Sequence, residues 1–125
     1  MIYFYLAIGS VAGAILRYQL GLWIPGLATD SAGFPWSTLL INVSGSLVMG
    51  FLVEYFDSSA STKEIKLMLT VGFCGSFTTF STFSHETISL FKDGRLGVGL
   101  LYVGLSFALA GGGYVLGYLG ARALK

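Results

Sequence analysis

The sequence predicts an all-α membrane protein, a single domain of 125 residues with four transmembrane helices. Composition supports that class, because 54% of the residues are hydrophobic and only 10% are charged, whereas soluble domains average about 25% charged residues. The mean hydropathy is correspondingly high, at +0.78. The spacing of the apolar segments points the same way, since four of them reach the roughly 20 residues that a helix needs to cross a bilayer.

The predicted spans follow one another with short connections. In chain order they cover residues 2–24, 36–56, 65–91 and 96–121. Breaker and charged residues mark the three connections, at 25–35, 57–64 and 92–95. No basic segment precedes the first apolar run, so we interpret that run as a retained helix and not as a signal peptide. The expected arrangement is therefore a multi-pass bundle embedded in lipid.

The third span is predicted to be broken near its middle. Gly72 and Gly75 weaken the helix there, and the serines and threonines that follow can bond backbone groups that a break sets free. Within a membrane, irregular backbone is stable only where it is buried in protein or lines a polar path. We therefore expect this segment to line a path for a small solute.

The second and fourth spans each carry a polar stripe. Thr38, Asn42 and Ser46 recur every four residues and so share one helix face. Asn42 matters most, because its amide offers two donors and one acceptor that need partners inside a membrane. It either bonds a neighbouring helix or lines a pore, and the hydroxyl-rich third span beside it favours the pore. Tyr102 and Ser106 form a shorter polar face that completes this path or packs against neighbours.

Aromatic residues recur every three positions in the second half of the third span. Phe77, Phe80 and Phe83 share a face if the helix has re-formed there. Such stripes are usually packing surfaces. However, the edge of a phenylalanine ring is electropositive, so these edges could attract an anion without trapping it, as conduction requires.

Thr79, Thr82 and Glu86 form a second face of the same segment. A carboxylate inside a span is costly. Glu86 therefore either orients the hydroxyls so that their protons face the solute, titrates during transport, or lies near the water interface; the sequence leaves these alternatives open. For Arg17 in the first span, snorkelling to the interface is the preferred interpretation over pairing with a buried acceptor.

Small residues spaced four apart occur on three spans and predict close helix packing. The motifs are Gly9-x-x-x-Gly13, Ser46-x-x-x-Gly50 and Gly113-x-x-x-Gly117. Packing inside one chain explains each motif taken singly. Their number favours a compact bundle that also associates with a second copy.

The distribution of basic residues predicts dual topology. With four spans, one side of the membrane holds four basic residues and the other three, which is almost no bias under the positive-inside rule. The first set is Lys63, Lys66, Arg122 and Lys125, and the second is Arg17, Lys92 and Arg95. We therefore expect both orientations to insert and to assemble as an antiparallel homodimer, the alternative being a fixed orientation.

Several function classes are excluded by composition. A formal net charge of +1 provides no basic patch for nucleic acid, and the single cysteine, Cys74, cannot form an internal disulfide. His85 and Glu86 lack the second histidine of a zinc motif. Since no nucleophile with an adjacent base and no phosphate-binding glycine loop occurs either, we do not expect an enzyme.

Three motifs carry a resemblance to a known family: Gly13-Ala14-x-x-Arg17-Tyr18, Asn42-Val43-Ser44-Gly45, and Gly72-Phe73-Cys74-Gly75 leading into Thr78-Thr79-Phe80-Ser81-Thr82-Phe83 and Glu86. Through them, nearly the whole chain resembles the fluoride channel family, also called CrcB or Fluc. The resemblance implies an antiparallel dual-topology homodimer with two pores in the cell (inner) membrane. It also implies passive export of fluoride, which relieves fluoride toxicity in the cytoplasm of a microbe.

The same resemblance implies roles for particular residues. A sodium ion is expected at the dimer centre, held by the backbone carbonyls of Gly75 and Thr78 from both subunits. Arg17 is expected to be structural. One departure is Ala110, which has no hydroxyl where a polar track could continue. With the stripe residue Thr38 included, the expected fluoride pore consists of Thr38, Asn42, Phe80, Ser81, Thr82, Phe83, Glu86, Tyr102 and Ser106.

The chemistry of the residues agrees in kind with this resemblance. Fluoride is small and strongly hydrated, so a selective path must replace its water with many hydrogen-bond donors, which amide and hydroxyl groups provide without a fixed charge.

The runner-up function is a proton-coupled exporter similar to the small multidrug transporters. Those need a carboxylate in the first span, and residues 2–24 contain no Asp or Glu. A third alternative is an assembly subunit that transports nothing.

Overall fold

The computed structural model describes residues 1–24, 33–57 and 59–125. This part of the chain is helical and contains no strand, which confirms the all-α class. Most of the first predicted connection, residues 25–32, lies outside the described residues, as does residue 58 of the second. The helices are α1 (Ile2–Trp23), α2 (Trp36–Asp57), α3 (Lys63–Leu67), α4 (Gly75–Phe77), α5 (Phe80–Lys92) and α6 (Leu96–Arg122), and a π-helical segment, Met68–Cys74, joins α3 to α4.

Three of these helices, α1, α2 and α6, are long and apolar enough to cross a membrane. They contain 22, 22 and 27 residues and end within a few residues of the predicted spans. The fourth predicted span, 65–91, falls on the shorter segments α3 to α5. Thr78 and Thr79, which separate α4 from α5, have extended backbone conformations. We call these two residues the α4–α5 junction.

Glycines bring α2 and α6 into backbone contact. A Cβ at Gly50 would overlap the Tyr114 carbonyl, and one at Gly117 would overlap the Leu47 carbonyl. The two helices run parallel, because early residues of α2 meet early residues of α6 and late residues meet late ones, down to the 2.7 Å ion pair between Glu54 and Lys125. Packing inside the chain, the simpler interpretation of these motifs, is confirmed.

The remaining small-residue motif, on α1, packs against the π-helical segment. A Cβ at Gly9 would overlap the Met68 carbonyl, and one at Gly13 would overlap the Phe73 carbonyl. Gly72 completes the contact, since its Cβ would lie 3.0 Å from the Leu6 carbonyl. The two backbones can approach this closely only without side chains, so this face of α1 holds the start of α4 in place.

The described connections are tight. The predicted turn at 92–95 is confirmed: Gly94 has a φ of +73°, which favours glycine, and the Arg95 N–H donates to the Leu90 carbonyl at 2.9 Å. At the start of α3, Thr62 caps the helix by accepting from the Ile65 N–H at 3.5 Å. The turn at 92–95 therefore places α5 directly alongside α6.

A buried cluster closes one end of the bundle. It contains Phe34, Leu39, Phe83, Leu90 and Tyr102, with Tyr102 fully buried. The Tyr102 ring lies 5.5 Å from Phe34 and 5.1 Å from Phe83, measured between ring centroids. This cluster fixes the direction in which the Tyr102 hydroxyl and the α5 side chains point.

Candidate functional site

Asn42 on α2 bonds the backbone of the α4–α5 junction in both directions. Its Oδ1 accepts from the Thr79 N–H at 2.8 Å, and its Nδ2 donates to the Thr79 carbonyl at 3.1 Å. The side-chain amide therefore replaces the backbone partner that Thr79 loses by leaving the helix. These two bonds give the Asn42 amide its partners inside the membrane. They also give the Thr79 N–H and carbonyl the partners that irregular backbone lacks.

The junction threonines satisfy further groups of their own. The Thr79 hydroxyl accepts from the Thr82 N–H at 3.2 Å, which caps the start of α5, and donates to the Thr82 hydroxyl at 2.9 Å. The Thr78 hydroxyl donates to the Cys74 carbonyl at 2.9 Å, which caps the end of α4. These local bonds are the kind by which Ser and Thr offer the backbone an alternative to a continuous helix.

Arg17 points into the protein and does not snorkel, so the preferred interpretation of this residue is wrong. Its Nη1 donates to the Thr78 carbonyl at 3.5 Å. The physical reason is that the junction offers a carbonyl oxygen without a helical donor, a partner that sequence spacing does not reveal. Without Arg17, the basic residues near the membrane surfaces number four against two, which weakens the balance on which dual topology was predicted.

A cavity of about 410 Å³ lies beside the junction, between α2, α5 and α6. The structure brings four of the predicted pore residues together in its wall: Asn42, Phe80, Phe83 and Ser106. The rings of Phe80 and Phe83 lie 5.5 Å apart and are tilted by 44°. Phe83 is buried, whereas 72% of Phe80 is exposed. We call this space the central cavity.

Ser106 contributes an unused hydroxyl to the central cavity. Its Oγ is buried and has no hydrogen-bond partner within the described part of the chain. Buried polar groups are nearly always paired, so an exception needs a reason. A hydroxyl in a cavity wall with no protein partner is free to donate to a bound solute.

Glu86 is the acceptor for two buried hydroxyls. Thr38 donates to its Oε1 at 2.8 Å, and Tyr102 donates to its Oε2 at 2.7 Å. Glu86 therefore does orient hydroxyls, but they are not those of its own helix face, and their protons face the carboxylate and not a solute. This corrects the predicted arrangement, because the fold places α2 and α6 closer to the carboxylate than the hydroxyls of α5.

A second cavity, of about 330 Å³, lies on the other side of Glu86. Glu86 thus separates this outer cavity from the hydroxyls of Thr38 and Tyr102. His85 is exposed. The residues that line the outer cavity are Gly33, Pro35, His85, Glu86, Ser89, Leu90, Asp93 and Arg95.

Some predicted residues lie elsewhere. Ser81 and Thr82 are exposed and line neither cavity, and Gly75 is exposed next to the junction. Phe77 does not share a face with Phe80, because the α4–α5 junction interrupts the helix between them. It is buried and stacks on Phe73 at 5.8 Å.

Six residues of the central cavity were not among the predicted site residues: Ser46, Thr79, Phe107, Ala110, Gly111 and Tyr114. Ser46 was recognised in the α2 stripe but not assigned to the pore. Tyr114 follows Tyr102 at three successive intervals of four, through Ser106 and Ala110, so the spacing of the fourth span could have revealed it. Phe107 meets Phe83 edge to face at 6.1 Å, a contact that no sequence pattern indicated.

Acidic, histidine and cysteine side chains do not cluster into a metal centre anywhere in the described ranges. The oxygen atoms near the central cavity that a cation could bind include the backbone carbonyls of the α4–α5 junction. The site thus consists of neutral donors, aromatic rings and free backbone groups, with one carboxylate at its far end.

This fold and this site define a helical membrane protein with a polar, aromatic-edged cavity beside the α4–α5 junction. A family model described as "CrcB-like protein, Camphor Resistance (CrcB)" matches residues 4–120. A Thermus thermophilus protein named "Fluoride-specific ion channel FluC" is 42% identical over 120 residues, which cover 96% of this chain and 91% of that protein. The chain belongs to the CrcB family.

Two other organisms contain similar proteins of the same name. The one from Novosphingobium aromaticivorans is 42% identical over 113 residues, or 90% of each chain. The one from Dehalococcoides mccartyi is 49% identical over 90 residues, which cover 71% of this chain and 68% of that protein. The similarity therefore extends across the helices that form both cavities.

Proposed function

We propose that this protein is a fluoride-selective ion channel that lets fluoride leave the cytoplasm passively and so relieves fluoride toxicity. The observation that carries the proposal is membership of the CrcB family, with full-length relatives that are named fluoride-specific ion channels. A channel catalyses no covalent step, so the protein is not an enzyme.

The central cavity suits a small anion. Its wall offers the free Ser106 hydroxyl together with Asn42 and the electropositive edges of Phe80 and Phe83. Lysine and arginine are absent from the residues that line it. Neutral donors can replace part of the water around fluoride while binding it weakly enough to release it, which is the condition for conduction.

The path then continues past Glu86 to the outer cavity. In this proposal the anion passes Phe80 and Phe83, meets Ser106, and reaches the hydroxyls of Thr38 and Tyr102. Those hydroxyls donate to Glu86 when no anion is present. If the anion accepts a hydrogen bond from one of these hydroxyls, a bond to the anion replaces the bond to the Glu86 carboxylate. Both bonds are charge-assisted, so the exchange costs little energy.

The proposed architecture has four spans in one domain covering residues 1–125. In addition to α1, α2 and α6, the third span consists of α3 to α5 and is broken near its middle at the α4–α5 junction. At this junction the Thr79 backbone bonds the Asn42 amide, and the Thr78 carbonyl accepts from Arg17. These bonds make irregular backbone tolerable at membrane depth. We place the protein in the cell (inner) membrane as a multi-pass channel.

The functional unit in this proposal is an antiparallel, dual-topology homodimer. Gly75 and Phe80 are both exposed in the single chain although both adjoin the junction. Lipid tails offer no hydrogen bonds to the junction backbone, so another protein surface must cover it. A second copy would also cover Ser81 and Thr82, the exposed pore residues that line neither cavity of one chain.

A sodium ion at the dimer centre is part of the same proposal. The carbonyls of Gly75 and Thr78 from both copies would hold it. The donor set fits, because backbone carbonyls are the hard oxygen ligands that such a cation prefers. When bound, the ion would supply positive charge that neutralises opposing carbonyl dipoles.

An efflux measurement tests the proposed function. Purified protein is reconstituted into liposomes loaded with fluoride or with chloride, and a potassium ionophore starts the efflux, which ion-selective electrodes record. We expect rapid fluoride release with chloride retained. Equal release of chloride would refute fluoride selectivity, and transport that depends on a proton gradient would favour the exporter alternative.

Two variants test, in the same efflux assay, whether Phe80 and Asn42 belong to the pore. Phe80→Ile removes an aromatic edge from the cavity and Asn42→Ala removes the amide, so each should lower fluoride efflux at least tenfold, an energy of about 1.4 kcal/mol. Phe4→Ile is the matched control, since Phe4 is exposed on α1 away from both cavities. Normal efflux in both variants would remove Phe80 and Asn42 from the pore.

A further inference from the structure

The α4–α5 junction redirects two backbone N–H groups. In a continuous α-helix, the carbonyl of residue i accepts from the N–H of residue i+4. The Gly75 carbonyl would therefore accept from Thr79, and the Thr78 carbonyl from Thr82. Neither bond forms, because the Thr79 N–H donates to Asn42 Oδ1 at 2.8 Å and the Thr82 N–H donates to the Thr79 hydroxyl at 3.2 Å.

Both carbonyls are left without a helical donor. Within the described ranges, the Gly75 carbonyl accepts no hydrogen bond, and the Thr78 carbonyl accepts only the 3.5 Å bond from Arg17. A backbone carbonyl without a partner costs several kcal/mol in an apolar medium. Two such carbonyls, three residues apart and beside an exposed glycine, therefore need a hydrogen-bond donor or a cation from outside the chain.

We propose that Asn42 and Thr79 are positioning residues for a monovalent cation: by taking the N–H groups of Thr79 and Thr82, they leave the Gly75 and Thr78 carbonyls free to bind it. This inference rests on the proposed function, because the second copy supplies the matching pair of carbonyls. It gives Asn42 two roles, since one amide both borders the central cavity and sets the cation ligands. The pore and the cation site are thus coupled through a single side chain.

The bonds made by the Asn42 amide also indicate which substitutions should preserve the cation site. Asn42→Asp keeps an oxygen that accepts from the Thr79 N–H, but it places a second carboxyl oxygen where Nδ2 donates to the Thr79 carbonyl. Asn42→Ala loses both bonds, so the Thr79 N–H can return to the Gly75 carbonyl. Thr79→Ala independently removes the hydroxyl that takes the Thr82 N–H, which lets the Thr78 carbonyl regain its helical donor.

Sodium retention by the purified full-length protein tests the inference. Protein prepared in sodium is dialysed against choline buffer, and the sodium that remains per protein is measured by mass spectrometry, with size-exclusion chromatography to confirm assembly. We expect Asn42→Ala and Thr79→Ala each to retain about tenfold less sodium than wild type, as the loss of one ligand-setting bond predicts. Asn42→Asp should retain more sodium than Asn42→Ala, because it keeps the acceptor for the Thr79 N–H. Ser44→Ala is the matched control, because within the described residues Ser44 bonds only the Ile41 carbonyl of its own helix.

The possible results separate this inference from the proposed function. Wild-type retention in assembled Asn42→Ala and Thr79→Ala would overturn it, as would a wild-type protein that conducts fluoride but retains no sodium. If Asn42→Ala does not assemble, Thr79→Ala decides between the two results. If the wild-type protein retains sodium and conducts no fluoride while Asn42→Ala and Thr79→Ala lose the sodium, the channel is refuted and the positioning roles are supported.

Discussion

Tyr102→Phe isolates the contribution of one buried hydroxyl. Tyr102 is 0% exposed, and its hydroxyl donates to Glu86 Oε2 at 2.7 Å. Removing the oxygen leaves the ring in its contacts with Phe34 and Phe83, so the core keeps its packing. The substitution therefore changes the hydrogen bonding of the carboxylate with little effect on the volume of the core.

The size of the effect follows from the partners of Glu86. A hydrogen bond to a charged group contributes about 1.5–3 kcal/mol. Glu86 keeps the bond from Thr38 at 2.8 Å and also borders the outer cavity, where water can replace the lost donor in part. We therefore take the lower end, about 1.5 kcal/mol, which for a chain of this length corresponds to a fall in Tm of about 5 °C.

Thermal unfolding of the purified protein in detergent measures this change, with fluoride efflux recorded on the same variants. Tyr3→Phe is the control, because 86% of Tyr3 is exposed and its Tm should not change. The double variant Tyr102→Phe with Glu86→Gln should lose less than the sum of the single variants, because both remove the same bond. An unchanged Tm for Tyr102→Phe, or strictly additive losses, would refute the reasoning.

Three further predictions concern glycine packing and the far end of the central cavity. Gly75→Leu should leave the chain folded but abolish dimers on size-exclusion chromatography, because a Cβ at Gly75 meets nothing closer than 4.0 Å within the described part of the chain. Gly104→Leu is the control, since Gly104 is also open in the single chain. Normal dimers of the Gly75 variant would contradict the proposed interface. Gly9→Ala should lower the yield of folded protein severalfold, since its Cβ would overlap the Met68 carbonyl, and a wild-type Tm would show that α1 can shift away. Tyr114→Phe should slow fluoride efflux severalfold if the Tyr114 hydroxyl donates to the anion at the end of the central cavity where Ala110 provides no hydroxyl. Unchanged efflux would exclude that role.

The fold class could be predicted from the sequence because membrane insertion depends on a property that is summed along the chain. Length and hydropathy predicted α1, α2 and α6 to within a few residues, and turn chemistry predicted the tight connection that contains Gly94. The periodicity of four in the second span likewise placed Thr38 and Asn42 on one face, and the structure directs both of them towards α5 or its junction.

Hydrogen-bond partners could not be predicted in the same way. Arg17 was expected at the interface and bonds the Thr78 carbonyl, and Phe77 was grouped with Phe80 but is separated from it by the α4–α5 junction. In each case the outcome depends on where the helix stops, which sets free particular backbone groups and rotates the residues that follow. Periodicity assumes an uninterrupted helix and therefore fails at this point.

The sequence by itself determined that this chain is a helical membrane protein, and which faces of its helices are polar, because both follow from hydropathy and local spacing. Only the tertiary structure decided that Asn42 bonds the Thr79 backbone, that Thr38 and Tyr102 share Glu86, and that Ser106 keeps a free hydroxyl. The reason is physical: a polar group buried among helices bonds whichever partner the packing brings within about 3 Å, and that packing depends on glycines that contact backbone carbonyls far away in the chain.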